Sequence, residues 1–342
     1  MAGQPDASTF SASPAMRRQW GLRDVPLAVR LAFDLEKLCT SAIGLTAAAL
    51  AYGTFNWLGL LTKDRAAHRV FAVLGGILAT CIAVFVSGLI ARMATSQLLE
   101  ERRIGAGELT QFARERWTTL AGIPLAFGGI ALLMLGIEAL IAMVGSIPGV
   151  GPIIWSASFL LAFFLSLAAV LTVAIHMLGA FLYPTIVAIR GVGAVGAILE
   201  VVALARRKPL FLLLYEAFVA AVGGLMTVLI GGLVWASLNL TMFLGGAIMG
   251  EKFDETLAAL PGFFRVFLRP FAKIIPMATE EMEVAWHYDL SGLLLGVSLL
   301  VVVVLTLVYP FVFFTSAGSI VYLILKPEGE PAPIERSPIE DL

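Results

Sequence analysis

The chain has 342 residues, of which 59% are hydrophobic and only 14% charged, with a formal net charge of -1 and a mean hydropathy of +0.94. So apolar a composition excludes an ordinary soluble domain, and the near-zero charge offers no basic field to nucleic acid and no acidic field to cations. Cys39 and Cys81 both fall inside apolar runs and match no zinc or redox spacing, so they read as structural, and no cofactor or metal is expected.

Residues 1–24 are small and polar and read as a disordered tail. Arg17 and Arg18 are not followed by a short apolar core with a cleavage site, so the first apolar run is expected to be retained as a span. Pro26 to Lys37 sets Leu27, Leu31 and Leu35 at helical spacing against Arg30, Asp34 and Lys37, which predicts a helix lying at the membrane interface. Six apolar segments follow, at about 38–61, 70–93, 119–146, 153–183, 210–236 and 291–325, each exceeding the roughly 20 residues a spanning helix needs. They delimit one transmembrane domain over 25–326. The Pro-rich acidic tail 327–342 reads as disordered.

The connections differ in character. The second, SQLLEERRIGAGELTQFARERW, interleaves charges with Leu98, Leu99, Ile104, Leu109 and Phe112 and predicts one or two amphipathic helices, with Trp117 marking the return to the interface. GSIPGVGP, from Gly145 to Pro152, is uncharged and predicts a tight turn joining spans three and four as a hairpin. Leu182 to Ala217 predicts a surface helix on the cytoplasmic side that feeds a span beginning at Leu210. Residues 237–289 form the one long external segment, where FFRVFLRPFAKIIP and TEEMEVAW predict short helices on the external face. The last span exceeds the needed length and holds Pro310 near its centre, so a kink or tilt is expected. No internal repeat is visible.

Lys and Arg fix the expected orientation. The segment before span one, to Lys37, holds five, the second loop with Arg92 at its edge five, the fourth loop four and the segment from Lys326 onward two, against three, none and four in the loops between. The positive-inside rule places both termini in the cytoplasm.

Ionisable residues inside spans are costly and are therefore the first functional candidates. Glu138, in LLMLGIEALIAM, lies about 12 Å from the external turn by helical rise. It reads either as a proton or cation relay or as a protonated carboxyl hydrogen-bonded to a Ser or Thr of a neighbouring span, the second being favoured. His176 and Glu216 lie at similar expected depths on spans four and five, where they could pair; interhelical hydrogen bonding, or Glu216 answering Arg190 or Arg206, is the preferred reading. Gly191, Gly193 and Gly196 spell G-x-G-x-x-G, but no strand precedes them, so dinucleotide binding is rejected in favour of close helix packing. The paired glycines Gly75–Gly76, Gly128–Gly129, Gly223–Gly224 and Gly231–Gly232 read the same way. Arg206, Arg207 and Lys208 form a basic cluster that sets topology and faces lipid headgroups. Neither G-x-S-x-G nor H-E-x-x-H occurs, and no enzyme motif is present.

Four stretches, RLAFDLEKLCTSAIGLTAAAL, RMATSQLLEERRIGAGELTQFARERW, YPTIVAIRGVGAVGAILEVVALARRKPLFLLLYEAF and FFTSAGSIVYLILK, together resemble a family of uncharacterised six-span bacterial inner-membrane proteins of the planctomycete type. The likeness extends over most of residues 25 to 326 and rests on order and hydropathy. The chain departs from that pattern at Arg190, where the family typically has an acid, and at Ala205, Arg206 and Arg207, where it has aromatics. The resemblance implies a six-span fold in a membrane and carries over no catalytic residue.

The expected fold is therefore all-α: a polytopic bundle of about six transmembrane helices with interfacial amphipathic helices. The expected function is that of a non-enzymatic scaffold or subunit of a membrane complex, with the bilayer and a protein partner or second copy as its contacts. The alternative is a small-molecule, lipid or ion transporter or channel with Glu138 on its pathway. A lipid-modifying intramembrane enzyme ranks third.

Overall fold

The computed structural model describes residues 20–62, 64–261, 264 and 286–326. Among these, a short 3-10 turn over Leu22–Asp24 is followed by ten helices and no strand: α1 (Leu27–Ala32), α2 (Leu35–Leu61), α3 (Arg65–Leu99), α4 (Ala106–Gly145), α5 (Gly151–Gly179), α6 (Leu182–Arg190), α7 (Ala194–Arg207), α8 (Pro209–Met249), α9 (Glu251–Ala258) and α10 (Trp286–Leu325). Six of them, α2, α3, α4, α5, α8 and α10, are long and apolar enough to cross a membrane. The protein is an all-α, multi-pass membrane bundle. Residues 1–19 of the N-terminal tail, the C-terminal tail 327–342 and most of the external segment beyond Pro261 lie outside the described residues. The end of the N-terminal tail, expected to be disordered to residue 24, instead forms the 3-10 turn, which the Asp24 carboxylate closes by accepting from the Gly21 N–H at 2.9 Å.

Short connections make sequential helices neighbours, as hairpin logic requires. On α2 the buried positions are Lys37, Ser41, Gly44, Ala48, Gly53, Asn56 and Gly59. They recur every three to five residues and most are small, so α3 approaches along one stripe, with Val86 over Gly44 and Phe55 of α2 against Gly75. The turn between α4 and α5 spans Ser146 to Val150 and closes the expected hairpin, with Gly149 at φ +86°. Its outer half is bare of protein contact, Leu133, Leu140, Phe159 and Leu160 being more than half exposed. Such a surface suits lipid tails.

Several helices run past the expected spans. Both α3 and α4 absorb the charged second loop, leaving only Glu100 to Gly105 between them, so the amphipathic segments there are continuations of spans rather than separate helices. At 40 residues α4 is about 60 Å long, twice a hydrocarbon core of roughly 30 Å. α8 continues to Met249, so the first part of the expected external loop is an extension of span five, capped by α9. The helix expected over Pro26 to Lys37 breaks at Phe33 and Asp34. Asp34 accepts a hydrogen bond from the Glu36 N–H and so caps a new helix. Leu35, expected on the apolar face, is 72% exposed.

The largest departure concerns Leu182 to Arg190. The sequence predicts a surface helix there; in the structure every residue of α6 from Leu182 to Ile189 is buried. α6 packs against α3, α4 and α10, and α10 also touches α1, α2, α8 and α9, making it the hub of the bundle. The close approach depends on Gly318, where an added Cβ would collide with the Phe181 carbonyl. Thr185 and Ser319 share a hydrogen bond of 2.9 Å across the same contact. After α6, Gly191 at φ +62° ends the helix in the left-handed conformation, and α7 leaves at 118° to it.

Candidate functional site: the polar end of the bundle

Charged side chains gather at the end of the bundle where α2 begins and α3 ends, and they form three groups. In the first, Gln97 bridges Asp34 and Lys37: its Nε2 donates to Asp34 Oδ2 at 2.6 Å, and its Oε1 accepts from Lys37 Nζ at 2.6 Å. Lys37 is fully buried and also donates to the Leu31 carbonyl at 3.4 Å. An ammonium so deeply withdrawn from water needs such acceptors. Burial by itself would raise the Asp34 carboxyl. The hydrogen bonds from Gln97 and the Glu36 N–H, with the charges of Lys37 and Arg103, outweigh it and hold the group below its ordinary value.

In the second, two arginines and two glutamates close a ring around the α3–α4 connection. Arg92 reaches Glu100 at 3.3 Å and Glu108 at 2.7 Å, and Arg102 reaches the same two at 2.6 and 2.8 Å. At the centre of this connection Glu101 sits at φ +52°, the one non-glycine residue in the left-handed region among those described. In the third, Arg190 at the end of α6 pairs with Glu200 of α7 at 3.2 Å, and Glu200 also accepts from the Tyr322 hydroxyl of α10 at 2.5 Å. Arg116 of α4 donates to the Gly191 carbonyl, which pins the sharp corner between α6 and α7. Burial and then the Arg190 charge push Lys326 below the usual lysine range, against the pull of Glu200.

Between α1 and the α3–α4 connection lies a cleft of about 550 Å³, to which the first group contributes Asp34 and Gln97 and the second Arg102. Trp20 and Phe33 give it aromatic walls, and Arg30, Asp34, Arg102 and Arg103 line its charged side. Comparison with family models, curated proteins and solved structures finds no match. The geometry of the chain itself therefore carries the functional argument.

The residues singled out from sequence are scattered. Glu138 lies on the α4–α5 hairpin, half-buried, and accepts from Ser166 Oγ at 2.6 Å, the structural arrangement favoured for it. His176 is 8% exposed, lies between Phe127 and Tyr183 with ring centroids 5.0 and 6.2 Å away, and leaves its Nδ1 without a hydrogen-bond partner among the described residues. Glu216 likewise buries Oε1 with no partner among them, so the two do not form the pair that their depths allowed. Its suggested answers, Arg190 and Arg206, lie elsewhere: Arg190 pairs with Glu200, and Arg206 is exposed at the end of α7 with Arg207 and Lys208. That basic cluster complements the negative end of the α7 dipole. The described residues contain no group of three or more His, Cys, Asp or Glu placed to hold a metal.

Sequence reasoning missed Lys37, Gln97, Glu200 and Tyr322. For Lys37 a signal existed: it stands four residues before Ser41 and seven before Gly44, on the same stripe as the small residues that α3 covers. Reading it as the polar face of an interfacial helix hid that register.

Proposed function

We propose that this chain is a non-enzymatic component of a bacterial inner-membrane complex, with both termini cytoplasmic, which holds a partner segment at the charged end of its bundle. The observation that carries the reading is the cleft between α1 and the α3–α4 connection, whose volume of about 550 Å³ falls within the range of ordinary binding pockets. Its frame is fixed by partly buried hydrogen bonds and an ion pair from α2, α3 and α4, so a partner would meet a preformed surface. The left-handed Glu101 on its rim is the kind of local strain that persists where surrounding contacts over-determine it.

Orientation rests on the distribution of Lys and Arg and on parity. α7 is 14 residues, about 21 Å long and amphipathic, which suits a helix along the interface; six crossings then return the chain to its starting side. A pathway through the bundle gains little support, because the hydroxyls of Thr46, Thr80, Thr172, Thr227 and Thr306 bond back to carbonyls of their own helices. Glu138 sits on the hairpin with Ser166 as its partner, which supports a structural role over a relay.

The test is site-specific photocrosslinking in cells with a photoreactive residue at Arg30, in the cleft, or at Leu199, 63% exposed on α7. One protein captured from position 30, not from position 199, and lost on Arg103→Glu at unchanged abundance supports the reading. A chain that crosslinks to nothing from the cleft, together with a flux abolished by Glu138→Gln, overturns it in favour of transport.

A further inference from the structure

The cleft between α1 and the α3–α4 connection lies at the end of the bundle where α10 finishes. α10 packs against both α1 and α3, and Leu325 belongs to the same buried cluster as Val25 and Ile104. The cleft wall is apolar and aromatic at Trp20, Leu27, Leu31, Phe33 and Leu98. Of its charged residues, Asp34 is held by Gln97, and Arg102 by Glu100 and Glu108. Glu101 is then outnumbered by two arginines. Arg30 is exposed with no ion pair among the described residues, and Arg103, 71% exposed, has Glu36 no nearer than 3.8 Å.

The chain beyond Lys326 has the complementary chemistry. Residues 327–342 hold five acids against one arginine, with four prolines, and the tripeptide Pro-Ile-Glu occurs twice, at 333–335 and 338–340. Proline-rich segments suit aromatic-lined grooves, because their fixed φ leaves little backbone freedom to lose on docking. A branched apolar side chain next to a carboxylate answers an apolar wall with arginines at its edge. Reach is sufficient as well. Seven residues separate Lys326 from Pro333, and at about 3.1 Å per residue in the polyproline conformation they extend about 22 Å. The six-residue α1 is about 9 Å long and about 10 Å across, so a segment of that length rounds it.

We propose, building on the reading of the cleft as a holder of peptide segments, that residues 327–342 of the same chain occupy it and shut it against the partner. A Pro-Ile-Glu tripeptide lies on the aromatic wall, and its glutamate meets Arg30 and Arg103. Being tethered, the segment competes at an effective concentration on the order of millimolar. A contact too weak to hold a free peptide therefore closes the cleft, and only a partner that binds more tightly displaces it.

The test places benzoylphenylalanine at Phe33, which keeps the aromatic wall, or at Leu199 of α7 as a control at the same end of the bundle. Trp20 serves if the Phe33 variant does not fold. Full-length protein, purified as an equal mixture of ¹⁵N-labelled and unlabelled chains, is irradiated, and the crosslinked peptides are read by mass spectrometry. The expected product joins position 33 to residues 327–342 of an identically labelled chain, at a higher yield than from position 199. With Glu335→Lys and Glu340→Lys together the yield falls about fivefold, the worth of two exposed ion pairs. In cells the same two substitutions raise capture of the partner from position 33. Capture of a partner without any crosslink to the tail overturns this inference and leaves the cleft as a partner site; no crosslink of either kind overturns both. Equal yields from positions 33 and 199, a yield unchanged by the two lysines, or products joining differently labelled chains also overturn it.

Discussion

Replacing Arg190 tests whether the polar corner holds the buried helix in place. Its Nε lies 3.2 Å from Glu200 Oε1, with the two side chains 21% and 14% exposed, and Glu200 also holds the Tyr322 hydroxyl. Removing one member of a fully buried pair costs about 3 to 5 kcal/mol, because the other charge is left uncompensated; the residual exposure here reduces this to about 2 to 3 kcal/mol for Arg190→Leu. That corresponds to a shift of roughly 30- to 150-fold in the folding equilibrium. The double variant Arg190→Leu, Glu200→Leu removes both charges and orphans only the Tyr322 hydroxyl, so it should cost about 1 kcal/mol. The double variant is thus expected to be more stable than the single one. Reversible unfolding of the purified protein in mixed dodecyl maltoside and dodecyl sulfate micelles, compared across the four members of the cycle, measures the coupling. A single variant within about 0.5 kcal/mol of wild type, or a double variant whose loss equals the sum of the two single losses, would refute the argument.

Glu101→Gly should raise stability by about 1 kcal/mol, since a side chain at φ +52° carries a cost that glycine avoids, and the same unfolding titration reads it. Glu138→Gln keeps an acceptor for Ser166 Oγ and should lie within about 0.5 kcal/mol of wild type, whereas Ser166→Ala strands the carboxyl and should cost about 1 to 3 kcal/mol. Asp34 titrates below its ordinary value in the folded protein, so the stability it adds is complete above its unfolded value of about 3.9 and is lost as pH falls through the lower folded value. The melting temperature of wild type should accordingly fall on acidification below about pH 4, and Asp34→Asn should flatten that limb.

Hydropathy alone located the spans, because length and apolar content are what a bilayer demands of a helix. It could not separate apolar surface that faces lipid from apolar surface that faces protein. LYPTIVAI is wholly buried and LLAFFLS has four of its seven residues exposed, yet both are simply hydrophobic in sequence. Arg190 and the glycines after it made the first look peripheral, since the partner of that arginine, Glu200, becomes apparent only once α7 turns back beside α6. Glu138 was legible in kind: an intramembrane carboxyl needs a donor, and Ser166 on the facing helix supplies it. The charged end was not, because its decisive contacts join residues far apart in the chain. Lys37 and Gln97 are 60 positions from one another, and no local pattern couples them.

The burial of α6 has a consequence for how the protein is made. Its enclosure requires α10, for Thr185 meets Ser319 across 134 residues of chain, and the Phe181 carbonyl rests against Gly318. During synthesis α6 emerges after α3 and α4 but long before that partner exists, and the face that α10 covers must wait unshielded while α7 and α8 are added. Assembly is therefore completed by the last helix, and a product that stops before residue 318 leaves the centre of the bundle open to the proteases that survey membrane proteins.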